Sequence, residues 1–550
     1  MNKSIKSVFL AFIVLSVLLS GCAPASTSVP PTLTPLPTGT PVPPTATPMP
    51  PTATPLLPKP TVIMASQTKP LYTPDASMPL SMEGPWLIFL GETGLWAVNS
   101  DGSGLRNIVS VPPEYLDNLI SSSSTLPFES SPAGKWLAYS ISGMDDSSVK
   151  QEQALYLLSF PDLSLNKITS LYSDKSKLQV SALPSFNDPV PTEAKDFEFD
   201  QKSQQIRGAI SLKNSLAWSS DGGQLAFSAA LDGPSTDVYV LDIASSTIVR
   251  VTDGPKTQAV NLIWTPDNKY IIHTATGDLG AGRSGPEFLD NELWAADPKG
   301  MYTHLVTERL WNIIRWINNE EFLGYESELL SEYGLSQEAH NLSILNVRTS
   351  RTKLLWKDPF INAEVDPISK SVIIDPMEAS KYILKATDYS PTHIVDTNNQ
   401  LLYFNSPIYW LKQMDKFAGF SADRLVMISP MGDISEKIMN SEWKHEYNGN
   451  DLVFSPLEKD WALIPYQDDR QGIWIYQEGI GIKEIFTEGV CNAIWRPDGK
   501  AIFFYSNYFW KGQTIQEGSI YFAEAPEYMP RLIKTGLSLD CFIDPQWLNK

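Results

Sequence analysis

Histidine is scarce in these 550 residues. There are five (His273, His304, His340, His393 and His445), and none pairs at His-x-His or His-x-x-x-His spacing. His-Glu-x-x-His is absent, which removes the zinc-protease pattern. Cysteine is rarer still, at three. The Gly-x-Ser-x-Gly elbow of serine hydrolases is missing; Gly419-Phe420-Ser421-Ala422-Asp423 comes nearest and lacks the last glycine. Val8 to Leu19 is apolar apart from Ser16, but it falls short of the roughly 20 residues that a membrane-spanning helix requires. Positive charge is in deficit: 42 Lys and Arg face 62 Asp and Glu, for a formal net charge of -20. The residues through Glu83 contribute +2, so the rest carries -22. A body this acidic repels nucleic acid and anionic head groups, and no basic patch overrides it.

What is present begins with an export signal. Lys3 and Lys6 precede the short apolar run, and small residues close it, which is the pattern of a signal peptide over residues 1–21. Its end, Leu19-Ser20-Gly21-Cys22, resembles the bacterial lipobox. The resemblance implies a lipoprotein, cleaved before Cys22 and acylated there with palmitate-type chains. Two or more such chains anchor a protein stably to a membrane. The implied location is the cell membrane or outer membrane, facing outside the cytoplasm. Residues 22–83 then read as a disordered Pro/Thr-rich stalk, in which Pro-Pro-Thr-Ala-Thr-Pro occurs twice. At about 3.1 Å per residue such a spacer reaches on the order of 170 Å.

Residues 84–550 repeat. Gly94 to Val109 is an alternating strand, an Asp-Gly turn and a second strand, and the shape recurs to the end of the chain. A second motif falls between the hairpins. Leu216-Ala217-Trp218-Ser219-Ser220-Asp221-Gly222, Ile263-Trp264-Thr265-Pro266-Asp267-Asn268 and Ile494-Trp495-Arg496-Pro497-Asp498-Gly499 are its best copies. Each is an apolar strand ending in Trp, followed by a turn whose last residue tolerates positive φ. With Arg250-Val251-Thr252-Asp253-Gly254 at a blade end, these residues resemble the TolB-type, WD-like propeller repeat. They are also similar to the N-terminal propeller of dipeptidyl peptidase IV, here without a hydrolase domain. The expectation is an all-β chain: a single large β-propeller of four-stranded blades, eight or nine, with seven also allowed. An orphan copy, Ile543 to Asn549, would close the ring from the C-terminus. Residues 171–213 are too long for a blade loop and read as an insertion. Trp218, Trp264, Trp316 and Trp495 fill the repeat position and are expected in the core.

Candidate chemistry is sparse. Cys491 and Cys541 stand at similar points in successive repeats and could form one disulfide outside the cytoplasm. Asp196, Glu198 and Asp200 alternate with Phe197 and Phe199, so on a strand three carboxylates share a face and could hold Ca²⁺. No other cofactor is expected. Resemblance to oligogalacturonate lyase propellers leaves room for histidines converging on a central channel. The leading functional expectation is a non-catalytic, lipid-anchored binding module of the cell envelope, with an envelope protein or extracellular ligand as partner. The alternative is a propeller enzyme, lyase or hydrolase, acting on carbohydrate or peptide in the channel.

Overall fold

In the computed structural model the repeat units become nine four-stranded antiparallel sheets. The described residues are 62–64 and most of 79–548. The stretches 1–61, 65–78, 111–126, 142–152, 175–202 and 439–449 lie outside them, as do shorter pieces of other loops. Strands are lettered A to D from the innermost outward. Blade 1 holds Trp86–Gly91, Gly94–Asn99 and Arg106–Ser110 as B to D, and takes its A strand, Gln546–Leu548, from the other end of the chain. The A strands of blades 2 to 9 are Phe128–Ser130, Leu216–Trp218, Gln258–Trp264, Trp311–Trp316, Phe360–Val365, Tyr409–Leu411, Asn450–Phe454 and Val490–Trp495. The two least regular repeats in the sequence, around Tyr382 to Val395 and Ile408 to Ile438, are genuine blades 6 and 7. Blades 5 and 6 also share a bridge, Ala339 to Phe360.

Alternation along each strand gives a blade two apolar faces, one for each neighbour. Nine clusters of buried side chains fill the nine contacts between successive blades. The last joins Leu87, Phe89 and Val98 of blade 1 to Ala501 and Phe503 of blade 9, so the ring is closed. Trp218, Trp264 and Trp495 are buried, and Trp316 is half-buried. The indole is more than filler. Trp218 Nε1 donates to Glu129 O at 3.0 Å, Trp264 Nε1 to Ala217 O at 2.9 Å, and Trp495 Nε1 to Val453 O at 2.9 Å. Each acceptor is on the A strand of the preceding blade.

The turn after the Trp is built as its residues demand. Ser219 Oγ donates to Asp221 Oδ1 at 2.6 Å, and Gly223 N donates to the same oxygen at 2.9 Å. The Ser219 hydroxyl and the Gly223 amide hold the Asp221 carboxyl below its ordinary value. Gly222 takes φ +69°, and a Cβ there would meet Ala133 of the neighbouring turn at 3.2 Å. Asn268 plays the same part in blade 4 at φ 58°, and its side chain accepts from Ser220 N at 2.8 Å. Neighbouring turns are thus bonded to one another as well as to their own strands.

Two segments depart from the stalk-and-insertion picture. Val62–Met64, within the expected spacer, is a fifth strand on the outer edge of blade 3. Leu80 is buried in the first core cluster, and Ser81 N donates to Asn99 Oδ1 at 2.9 Å, so the fold begins before residue 84. Within the insertion, residues 205–211 are helical. Ile206 and Ile210 are buried in the cluster between blades 2 and 3, and Ala209, at i+3, against Val260 of blade 4.

Candidate functional site: the loop face

Antiparallel blades put A–B and C–D connections at one end of the ring and B–C and D–A connections at the other. At the first end every connection spans three to six residues. The second end is uneven. It carries the insertion between blades 2 and 3, and a small extra hairpin in blade 9, Trp510–Lys511 with Thr514–Ile515. Blade 4 is the extreme case. Its B and C strands, Ile271–Gly282 and Gly285–Ala296, are 12 residues each and stay in register to the tip. Strand A reaches only Thr276, so the hairpin stands about 20 Å clear of the blade at roughly 3.4 Å per residue. Blade 5 repeats this on a smaller scale with Glu321–Leu329 and Gln337–Asn346. Long loops on a rigid scaffold are where binding residues concentrate, so the sector over blades 3 to 5 is the candidate site.

Charge fixes the base of this sector. In blade 3, Asp237 is 1 % exposed. Its carboxylate accepts from Arg250 Nη2 at 2.5 Å, Thr252 Oγ1 at 3.0 Å and Gly254 N at 3.0 Å. Arg250 also meets Asp253 at 2.7 Å and Asp232 at 3.4 Å, and Tyr239 donates to Asp232 at 2.5 Å. Burial pushes the Asp237 carboxyl up from its ordinary value, against the pull of Arg250. The network ties the B–C loop to the end of strand D. That loop is bonded in turn to the start of the insertion, with Ser173 N donating to Ala230 O and Ala230 N to Leu171 O.

Between blades 5 and 6 a second pair acts on the innermost strands. Arg315 grips Glu364 with two bonds, Nε to Oε1 at 2.7 Å and Nη2 to Oε2 at 2.8 Å, the strong fork geometry of guanidinium and carboxylate. At the root of the blade 5 hairpin, Glu326 accepts from Asn341 Nδ2 at 2.8 Å and lies 3.6 Å from His340 Nε2. On the opposite face, Asp267, Lys269, Glu320, Glu321 and Asn346 line an open hollow of about 480 Å³ between blades 4 and 5. Lys269, Arg348 and Lys370 pair with its three acids.

The described histidines do not converge. His273, His304, His340 and His393 are on strands B, D, C and D of blades 4, 4, 5 and 6, and none is on an A strand. Among the described residues no group of three His, Cys, Asp or Glu is placed to hold a metal ion. Cys22, the carboxylates Asp196, Glu198 and Asp200, and His445 lie outside the described residues. So does Cys541, the expected disulfide partner of Cys491, which is on the A strand of blade 9. The structure adds charged pairs near the candidate sector that the repeat pattern did not single out: Arg315 with Glu364, and Asp237 within the blade 3 network. The available signal was a single charged residue in each of two A strands, Arg315 in Trp311–Trp316 and Glu364 in Phe360–Val365.

His273 carries a measurable consequence. It is 4 % exposed, its Nδ1 has no partner, and burial lowers the imidazole to about 4. The unfolded chain binds this proton near pH 6.5, so between pH 6.5 and 4 it holds more protons than the folded one. Stability from this group is therefore full above pH 6.5 and lost as pH falls toward 4, by about 3 kcal/mol. A His273→Leu protein should match the wild type at pH 7.5 and exceed it in urea midpoint at pH 4.5. Parallel pH profiles of the two proteins would refute the assignment.

No protein-family model and no curated protein matches the chain. Among solved structures the chain is similar to a eukaryotic initiation factor, at 12 % identity and TM-score 0.47, covering 84 % of this chain and 99 % of that one. It is similar to TolB from Acinetobacter baumannii at 16 % identity and TM-score 0.26, over 56 % and 63 %. An oligogalacturonate lyase in complex with manganese matches at 11 % identity and TM-score 0.31, over 57 % and 74 %. At such values the fold rests on the strand pairing itself.

Proposed function

We propose that this chain is a lipid-anchored, extracytoplasmic propeller that binds a protein or other ligand of the cell envelope through its loop face. The observation that carries the reading is the asymmetry of the ring. One face is a lattice of tight, mutually bonded turns, while the other projects two long adjacent hairpins and a packed helix. A scaffold of this kind holds a recognition surface still, and the cost of ordering it on binding stays small. That none of the four described histidines is on an innermost strand supports binding over metal chemistry in the channel. The anchor is read from Leu19-Ser20-Gly21-Cys22 alone.

Both halves of the proposal are tested with the full chain in its own membranes. Cys22→Ser should abolish acylation, seen by intact mass, and move the protein to the soluble fraction. Chemical cross-linking in intact cells should then join the wild type to a partner through the blade 4 hairpin. Replacing residues 278–290 with a two-residue turn should remove that adduct, while Lys299→Glu, on the opposite face, keeps it. An adduct indifferent to the hairpin would overturn the loop-face reading without touching the anchor.

A further inference from the structure

The outer edge of a propeller blade is an open row of amide and carbonyl groups, ready to pair with another strand. Among the described residues, eight of the nine D strands pair on one side only, with their own C strand. Blade 3 is different: Val62, Ile63 and Met64 run antiparallel to its D strand, opposite Val249, Ile248 and Thr247. The sequences of the edges set this one apart from all but the blade 4 strand, Thr303–Thr307, which is free of Lys, Arg and Pro. Lys or Arg, or Pro in blade 6, interrupts seven of the other D strands, as with Lys167, Arg351, Lys437, Lys483 and Lys534. Charged or proline-bearing edges deter strand addition. The blade 3 strand, Thr247–Arg250, has one charge, and Arg250 is drawn inward among Asp232, Asp237 and Asp253. What it offers outward is an uncharged backbone edge.

We propose that the outer edge of blade 3 is a strand-binding site whose occupant is the chain's own segment Val62–Met64, and that this clasp sets where the N-terminal tether leaves the ring. The tether then departs from the rim of blade 3 rather than from blade 1, where the chain enters the propeller. On the sequence reading of an extended Pro/Thr spacer, the span open to the tether ends at residue 61 instead of residue 78. At about 3.1 Å per residue that shortens the reach by about 50 Å. A three-residue ladder contributes few hydrogen bonds, so the clasp is reversible. The short connection of residues 65–78 supplies a local concentration on the order of millimolar, which keeps it closed. The pairing does not depend on acylation of Cys22, so its test stands apart from that of the proposed function.

Two measurements on the full chain decide it. A Val62→Cys, Val249→Cys protein should form an intramolecular disulfide under mild oxidation at least tenfold faster than a Val62→Cys, Lys483→Cys protein. Equal rates, or a product that is mainly dimeric, would overturn the clasp. By hydrogen exchange, Ile63→Pro should raise exchange within residues 247–250 by tenfold or more. Exchange in the blade 8 edge, residues 481–486, should not change. Unchanged exchange at 247–250 would overturn it as well, whatever the cross-linking shows.

Discussion

A chain lacking residues 546–550 should lose its cooperative urea transition, or unfold at a far lower midpoint, when followed by tryptophan fluorescence. Those residues provide the A strand of blade 1, paired with Trp86 to Ile88. Leu548 is wholly buried in the contact between blades 1 and 2. Trp547 packs on Phe503 at 5.6 Å in a T-shaped contact and donates to Trp495 O at 2.7 Å. Gln546 holds blade 2 by both ends of its amide, accepting from Ser130 N at 3.0 Å and donating to Phe128 O at 3.1 Å. Losing the buried Leu548 costs about 2–5 kcal/mol, and losing the half-buried Trp547 with its hydrogen bond about 1–3 kcal/mol more. Together that approaches the roughly 5–15 kcal/mol that stabilises an ordinary domain. The loss also bares the edge of the buried strand Trp86–Gly91, so aggregation should accompany it. The milder Trp547→Ala should retain a transition, shifted by about 1–3 kcal/mol. A deletion that left the midpoint unmoved would mean that blade 1 stands without its borrowed strand.

The second large effect is expected at Arg250. Arg250→Leu leaves Asp237 buried with no cation beside it, and Asp232 loses its ion-pair partner while keeping the Tyr239 hydroxyl. Removing one member of a buried pair costs about 3–5 kcal/mol, more than the pair itself contributes, because the remaining charge is stranded. The pH profile separates this from simple loss of packing. With Arg250 gone, only the Thr252 and Gly254 hydrogen bonds oppose burial at Asp237, so its folded-state value stands further above the unfolded one. Such a group stabilises the fold below the unfolded value near 3.9 and withdraws that stability as pH rises. The deficit of Arg250→Leu should therefore be smaller at pH 5 than at pH 8. Adding Asp237→Asn should shrink the deficit at pH 8 and flatten the profile. A deficit independent of pH would point to packing instead.

How much of this could be read in the sequence differs from element to element. The Trp-x-Pro-Asp-Gly motif specified a strand and its turn because each of its residues acts locally. The indole reaches the next blade, Asp captures amides, and Gly or Asn takes positive φ. Blades 3, 4 and 9 were legible for that reason. Blade 7, whose A strand Tyr409–Leu411 lacks the motif, was legible only through its hairpin, Arg424–Ile428 with Ile434–Ile438. Nine blades follow from the hairpin count together with the orphan strand at the end. Val62–Met64 was not legible, since three apolar residues among prolines and threonines have no period. Their pairing depends on an edge nearly two hundred residues away. The helix at residues 205–211 left a trace in the spacing of Ile206, Ala209 and Ile210, within a segment read only as too long. As for the site, composition pointed away from metal and nucleophile chemistry, but the projecting hairpins are set by register, which only strand pairing displays.

The indole contacts also gauge the ring's pitch. Trp218, Trp264 and Trp495 each take the carbonyl one residue before the Trp position of the preceding A strand. Trp547 takes the carbonyl of Trp495 itself. One residue along a strand is a step of about 3.3 Å. The contact between blades 9 and 1 is thus offset by one residue from the other three indole contacts, and the Trp547 indole spans that offset where the borrowed strand completes blade 1.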